Sequence, residues 1–135
     1  MNRLAPELEL AYRNTAYKVP ALNLEIRIGQ YSPSLDALLK QQNAATWAFI
    51  TAYNPGVLLT EEQNRARLEA LRRVIVGYRY FEGEGVGEDE EWLPEKSFLV
   101  IGISREDAIK LGKRFNQNAI VFGKVDEPDE LLILV

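Results

Sequence analysis

The chain contains no cysteine and no histidine. The first absence rules out disulfides, a thiolate nucleophile, and Fe–S or cysteine-type zinc sites. The second removes the commonest general base and the commonest transition-metal ligand. Any chemistry must therefore rest on carboxylates, lysine, tyrosine, hydroxyls or amides, and neither a cofactor nor a metal is expected. A cationic surplus is missing too: 16 Lys and Arg face 20 Asp and Glu, for a net charge of −4. Nucleic acid and anionic membranes draw their non-specific affinity from cationic residues, so neither is an expected partner. No segment approaches the ~20 consecutive apolar residues of a membrane span. Met1 to Leu10 carries Glu7 and Glu9 and no apolar run, which is not the pattern of a signal peptide. A cytoplasmic protein is the expectation.

What is present suffices for one domain spanning residues 1–135. Apolar residues make up 47% of the 135, too many for disorder. A chain of this length buries roughly 65–70% of its unfolded surface and needs no staples.

Leu4 to Thr15 reads as a short helix, with Pro6 in its first turn. Leu22, Leu24, Ile26 and Ile28 alternate with polar residues, the pattern of a half-buried strand that starts near Pro20. Ser32-Pro33 opens a helix that runs to about Gln41. Trp47 to Tyr53 is apolar on both faces and is predicted to be a central strand. Thr60-Glu61-Glu62-Gln63 fits a capping box, opening a helix to about Val76. Tyr78 to Phe81 is predicted as a short strand and Phe98 to Ile103 as another central one. Ser104 caps a further helix. Ala119 to Phe122 and Leu131 to Val135 complete the strands. The order is that of an α/β or α+β layer domain, with a five- to six-stranded mixed sheet and packed helices.

Four constellations bear on chemistry, and each has a plainer counterpart. Gly83-Glu84-Gly85-Val86-Gly87 lacks the spacing of a dinucleotide fingerprint and the lysine of a P-loop. Glu82, Glu84, Glu88, Asp89, Glu90 and Glu91 surround it, so a phosphate is excluded. The stretch from Glu82 to Glu91 is predicted to be an exposed, mobile loop; a hard cation is the alternative. Arg65, Arg67, Arg72 and Arg73 crowd one helix, where Glu61–Arg65 and Glu69–Arg73 fall at i,i+4 and predict a salt-bridged solvent face. Only Arg67, near the helix start beside Asn64, is kept as a candidate ligand group. Gln117-Asn118 and Asn54-Pro55 suit either recognition of a base, amide or sugar edge, or simple turns. Glu84 and Glu95 form either an acid–base pair or a chance pairing among many glutamates.

Thr51-Ala52-Tyr53-Asn54-Pro55, Asn64 and Arg67, Trp92 with Pro94-Glu95 and Ser97, Gly102-Ile103, and Phe115 with Gln117-Asn118-Ala119 stand in a recognisable order. In that order and spacing the chain resembles the bacterial domain-of-unknown-function family 3293, over about Ala45 to Phe122. Two positions depart from the pattern: Asn116 stands where Gly is usual, and Gly56-Val57 replaces a more polar continuation. The resemblance implies a fold unit and a set of polar motif residues. It implies no reaction.

Thr51, Asn54, Asn64, Arg67, Glu95, Ser97, Gln117 and Asn118 are therefore the candidate ligand-binding residues. Thr51 and Asn54 lie at the exit of the Trp47–Tyr53 strand, with Asn64 and Arg67 near the start of the next helix, where open α/β sheets commonly bind ligands. Asn54 and Asn64 are predicted to share one side of the sheet there. Gln117-Asn118 joins them only if its strand runs antiparallel to Trp47–Tyr53. Three functions remain open. One is non-catalytic binding of a small polar or anionic ligand, or of a protein partner. Another is a carboxylate-dependent, metal-assisted enzyme using Glu84 or Glu95. The last is a structural or oligomerisation role in which the amides only brace turns.

Overall fold

A computed structural model describes residues 5–89 and 93–135. The described residues form α1 (Pro6–Arg13), β1 (Ala16–Val19), a 3-10 turn (Pro20–Leu22), β2 (Leu24–Ile26), α2 (Pro33–Gln41), β3 (Thr46–Thr51), α3 (Glu61–Val74), β4 (Arg79–Val86), β5 (Glu95–Ile101), α4 (Arg105–Arg114), β6 (Ala119–Lys124) and β7 (Glu130–Ile133). Side chains cap three of the helices as their sequences predict. Ser32, Thr60 and Ser104 each accept the backbone N–H three residues on. At Thr60 the box is complete, because Gln63 Oε1 accepts the Thr60 N–H at 3.0 Å.

The fold is α+β, and its sheet has seven strands in the order β2-β1-β4-β5-β3-β6-β7. Every neighbouring pair is antiparallel, so the expected mixed sheet is not what forms. The reason lies in the helical crossovers. The α3 connection carries the chain from β3 past the place of β5 to β4, and α4 carries it from β5 past β3 to β6. Strands joined by a helix are parallel but never adjacent. The unit β3-α3-β4-β5-α4-β6 is thus the interleaved βαββαβ arrangement of ferredoxin-like folds. The expectation was one strand or more short because β1 is only four residues long and follows α1 directly. The predicted Leu22–Ile28 strand is also shorter, because Pro20–Leu22 winds into a 3-10 turn that ends at Asn23 in a left-handed conformation, φ 50°.

Both faces of the sheet are covered. On one, Ala48, Ile50, Phe98, Val100, Ile120 and Phe122 meet Leu68 and Leu71 of α3, Ala108 and Leu111 of α4, and Ile75 and Phe115, which cap the ends of those two helices. On the other, Trp47, Phe49, Leu99, Ile101 and Val121 pack with Tyr17, Val19, Leu24, Ile26, and Leu35 and Leu39 of α2. Burial on both faces is why β3 and β5 read as continuous apolar runs. The sheet curls around the second core, so that Gly29, just after edge strand β2, donates its N–H to Asp129, just before edge strand β7.

The predicted acidic loop is corrected by β4. Glu82 to Val86 is strand, paired on one side with β5 and on the other with β1. Its charges do not simply repel. Glu84 stands directly between Lys18 and Lys96 in the register, and Glu82 bonds Arg72 at 3.1 Å. Its glycines serve packing: a Cβ on Gly83 would lie 2.7 Å from the Lys18 carbonyl oxygen and 2.8 Å from the Phe49 ring. Glu90, Glu91 and Trp92 lie outside the described residues. Backbone amides from Phe81 to Val86 are accordingly expected to exchange as slowly as those of β5. Exchange there at unstructured-chain rates, measured by NMR, would refute the pairing.

Candidate functional site

The motif residues gather at the end of β3. Asn54 takes a left-handed conformation, φ 46°, as the chain leaves the strand. Asparagine tolerates that region better than other side-chain-bearing residues. Asn64, one turn into α3 and 3% exposed, then forms a two-way clasp with it. Asn64 Oδ1 accepts the Asn54 N–H at 2.9 Å, and Asn64 Nδ2 donates to Asn54 Oδ1 at 3.0 Å. The same Asn54 oxygen accepts the Leu59 N–H at 3.0 Å, which closes the loop between them. The predicted proximity of Asn54 and Asn64 is present in full.

Gln117 joins the cluster, since β6 runs antiparallel to β3. Its Nε2 donates to the Tyr53 carbonyl at 3.1 Å and to that of Phe115 at 3.3 Å. Arg67 donates through Nε to the Ala52 carbonyl at 2.7 Å and through Nη2 to the Phe115 carbonyl. Thr51 Oγ1 donates to the Lys96 carbonyl at 2.6 Å and accepts the Tyr53 N–H at 3.1 Å. Ser97 Oγ donates to the Glu95 carbonyl at 2.9 Å. Each of these side chains satisfies main-chain groups that strand ends and helix ends leave over. Through its two bonds Arg67 clamps β3 to the end of α4. The departure at Asn116 has a physical explanation. It follows the α4 terminus with φ 56°, where glycine is favoured and asparagine is the common substitute.

Glu95 has a different setting. It is half-buried at the start of β5, and Asn54 Nδ2 donates to its Oε2 at 2.7 Å. Burial raises its carboxyl above the ordinary glutamate value, partly offset by the Asn54 bond. Tyr12 of α1 lies close by. Burial pushes its phenol up to about 12, helped by the charge of Glu95 and opposed by a hydrogen bond from the Asn118 side chain. Tyr53 is likewise pushed up to about 12, by burial and then by its bond to Glu61 Oε1 at 2.7 Å. Both phenols are therefore neutral donor–acceptor groups at physiological pH.

The suggested pairing of Glu84 with Glu95 fails. Glu84 stands opposite Lys96 and Glu95 opposite Gly85, so the two carboxylates project from opposite faces of the sheet. Among the described residues, no group of three or more Asp and Glu is placed to hold a metal ion. Among the described residues neither predicted i,i+4 pair of the arginine-rich helix forms: Glu69 meets Arg72 at 3.1 Å rather than Arg73, and Glu61 accepts from the Tyr53 hydroxyl rather than meeting Arg65. Tyr12 and Tyr53 escaped notice as site residues. Tyr12 lies far from the motifs in sequence, and Tyr53 reads as part of an apolar strand.

A family model described as a protein of unknown function, DUF3293, matches residues 50–120. That span takes in most of the interleaved βαββαβ unit and all the bracing residues, and the chain belongs to this family. No curated protein and no solved structure matches the chain. No helix among the described residues is long and apolar enough to cross a membrane.

Proposed function

We propose that this chain is a non-catalytic binding module whose recognition point is the Glu95 carboxylate, with the Tyr12–Asn118 pair beside it. Its ligand presents a hydrogen-bond donor: an amine, an amide or a hydroxyl. One observation carries this reading. Asn54 holds one oxygen of Glu95 while Asn54 itself is locked by Asn64 and by the Leu59 amide. A half-buried acceptor aimed by a side chain that cannot turn is preorganised for binding. The same geometry argues against an anionic ligand. An anion would meet the Glu95 charge and find Arg67 already engaged with carbonyls. The raised proton affinity of Glu95 favours one second reading, in which it acts as a general acid in a carboxylate-dependent enzyme.

The test is an NMR titration of the protein with methylamine, acetamide and inorganic phosphate. Signals of Tyr12, Glu95 and Asn118 are expected to move with the amine and the amide. Glu95→Gln should weaken amine binding roughly tenfold or more, since a charge-assisted bond contributes about 1.5–3 kcal/mol. Phosphate moving these signals more than methylamine would overturn the reading.

A further inference from the structure

We propose that the Asp129 carboxyl is a proton-operated latch between the two edges of the curled sheet: neutral, it clasps the Gly29–Gln30 segment, and ionised, it lets that segment go. Gly29 and Asp129 are a hundred positions apart and belong to opposite ends of the strand order. Asp129 Oδ1 accepts the Gly29 N–H at 2.5 Å. Gly29 presents that N–H from a left-handed turn, φ 81°, where glycine carries no steric penalty. Asp129 itself is 7% exposed, and its Oδ2 is buried with no hydrogen-bond donor among the described residues. It borders a cavity of about 10 Å³, the room of one water molecule, lined also by Gln30, Ser32, Leu35, Asp36, Trp47, Lys124 and Glu127.

Charge on Oδ2 is poorly compensated in this place. Asp36 of α2 and Glu127 of the β6–β7 turn bring like charge to the cavity, and the cation of Lys124 sits on an exposed residue. Burial pushes the Asp129 carboxyl up to about 6, although the Gly29 and Gln30 amides hold it down. Burial raises Asp36 too, but the Tyr31 hydroxyl and the Asp126 amide outweigh it, so Asp36 stays low and ionised. Tyr17 of β1, which feels the Asp129 charge, and Tyr31 are raised and stay neutral. The sign follows. The native state binds the Asp129 proton more tightly than the unfolded chain does. Its contribution to stability is full below the ordinary aspartate value and is lost as pH rises through about 6.

The experiment follows the side-chain carboxyl carbon of Asp129 and the amide exchange of Gly29 and Gln30 by NMR in the intact chain. The carboxyl is expected to titrate near 6. Protection of the two amides, corrected for intrinsic exchange, should fall roughly tenfold between about pH 5 and pH 7.5. Asp129→Asn, which cannot ionise, should keep that protection across the range. Titration near the ordinary aspartate value, or protection that does not change with pH, would overturn the latch. So would an Asn variant whose protection falls in parallel with the native chain. Should that variant not fold, the two measurements on the native chain decide alone.

Discussion

Asn64→Ala is expected to destabilise the fold by about 2–4 kcal/mol, because it deletes two hydrogen bonds and leaves a partly buried N–H without its acceptor. The stranded group is the Asn54 amide, which Asn64 Oδ1 alone accepts among the described side chains. Asn54 Oδ1 keeps the Leu59 N–H but loses its second donor. Asn64→Asp should be no better. It would set a carboxylate oxygen against Asn54 Oδ1, where the native amide donates. Urea unfolding with an unchanged slope would give the loss directly. A double-mutant cycle with Asn54→Ala would show strong coupling, since each residue satisfies the other. A loss below about 1 kcal/mol would mean that solvent reaches the clasp and that the amides are not braces.

Gly83→Ala should cost about 2–3 kcal/mol through overpacking. The new methyl would meet the Lys18 carbonyl oxygen at 2.7 Å, and that atom is held by strand pairing. It would also press on the ring of Phe49, which is buried and packed edge-on against Tyr17 with centroids 5.2 Å apart. Gly85→Ala is the matched control. Its methyl would find its nearest neighbour, the Thr15 methyl, at 3.6 Å, an ordinary contact. Its effect should stay within about 0.5 kcal/mol. Equal effects at the two positions, measured by thermal or chemical unfolding, would contradict the packing assigned to β4.

The contrast between these two glycines shows where the sequence was legible and where it was not. Caps at Ser32, Thr60 and Ser104 are local devices, and each helix starts where its cap places it. The apolar runs of β3 and β5 follow from burial on both faces, also a local signal. Asn54 and Asn64 could be brought together in advance because a short loop leaves the chain little choice. The β4 extension was hidden because glycine and glutamate describe a loop when taken alone. They describe a strand only once Lys18, Lys96 and the Phe49 ring are beside them. Glu84 and Glu95 illustrate the same limit, since only the register separates their faces. For Arg67 the position was legible and its partners were not, because the carbonyls of Ala52 and Phe115 are brought to it by tertiary structure.

The interleaved crossovers also govern how the chain can assemble. Strand β3 is the hydrophobic centre of the sheet, yet both of its partners, β5 and β6, come from the later part of the chain. Its neighbours in sequence, α2 and α3, contribute no backbone pairing to it. During synthesis Trp47, Phe49 and Ile50 therefore emerge with both hydrogen-bonding edges unpaired and wait for β5 and then β6. The rate of collapse is tied to these distant pairings rather than to helix formation, which is local and fast. Nor can the chain be divided between α3 and β4 into two self-sufficient parts. The earlier part would hold a central strand with no sheet around it, and the later part a sheet with its middle strand missing.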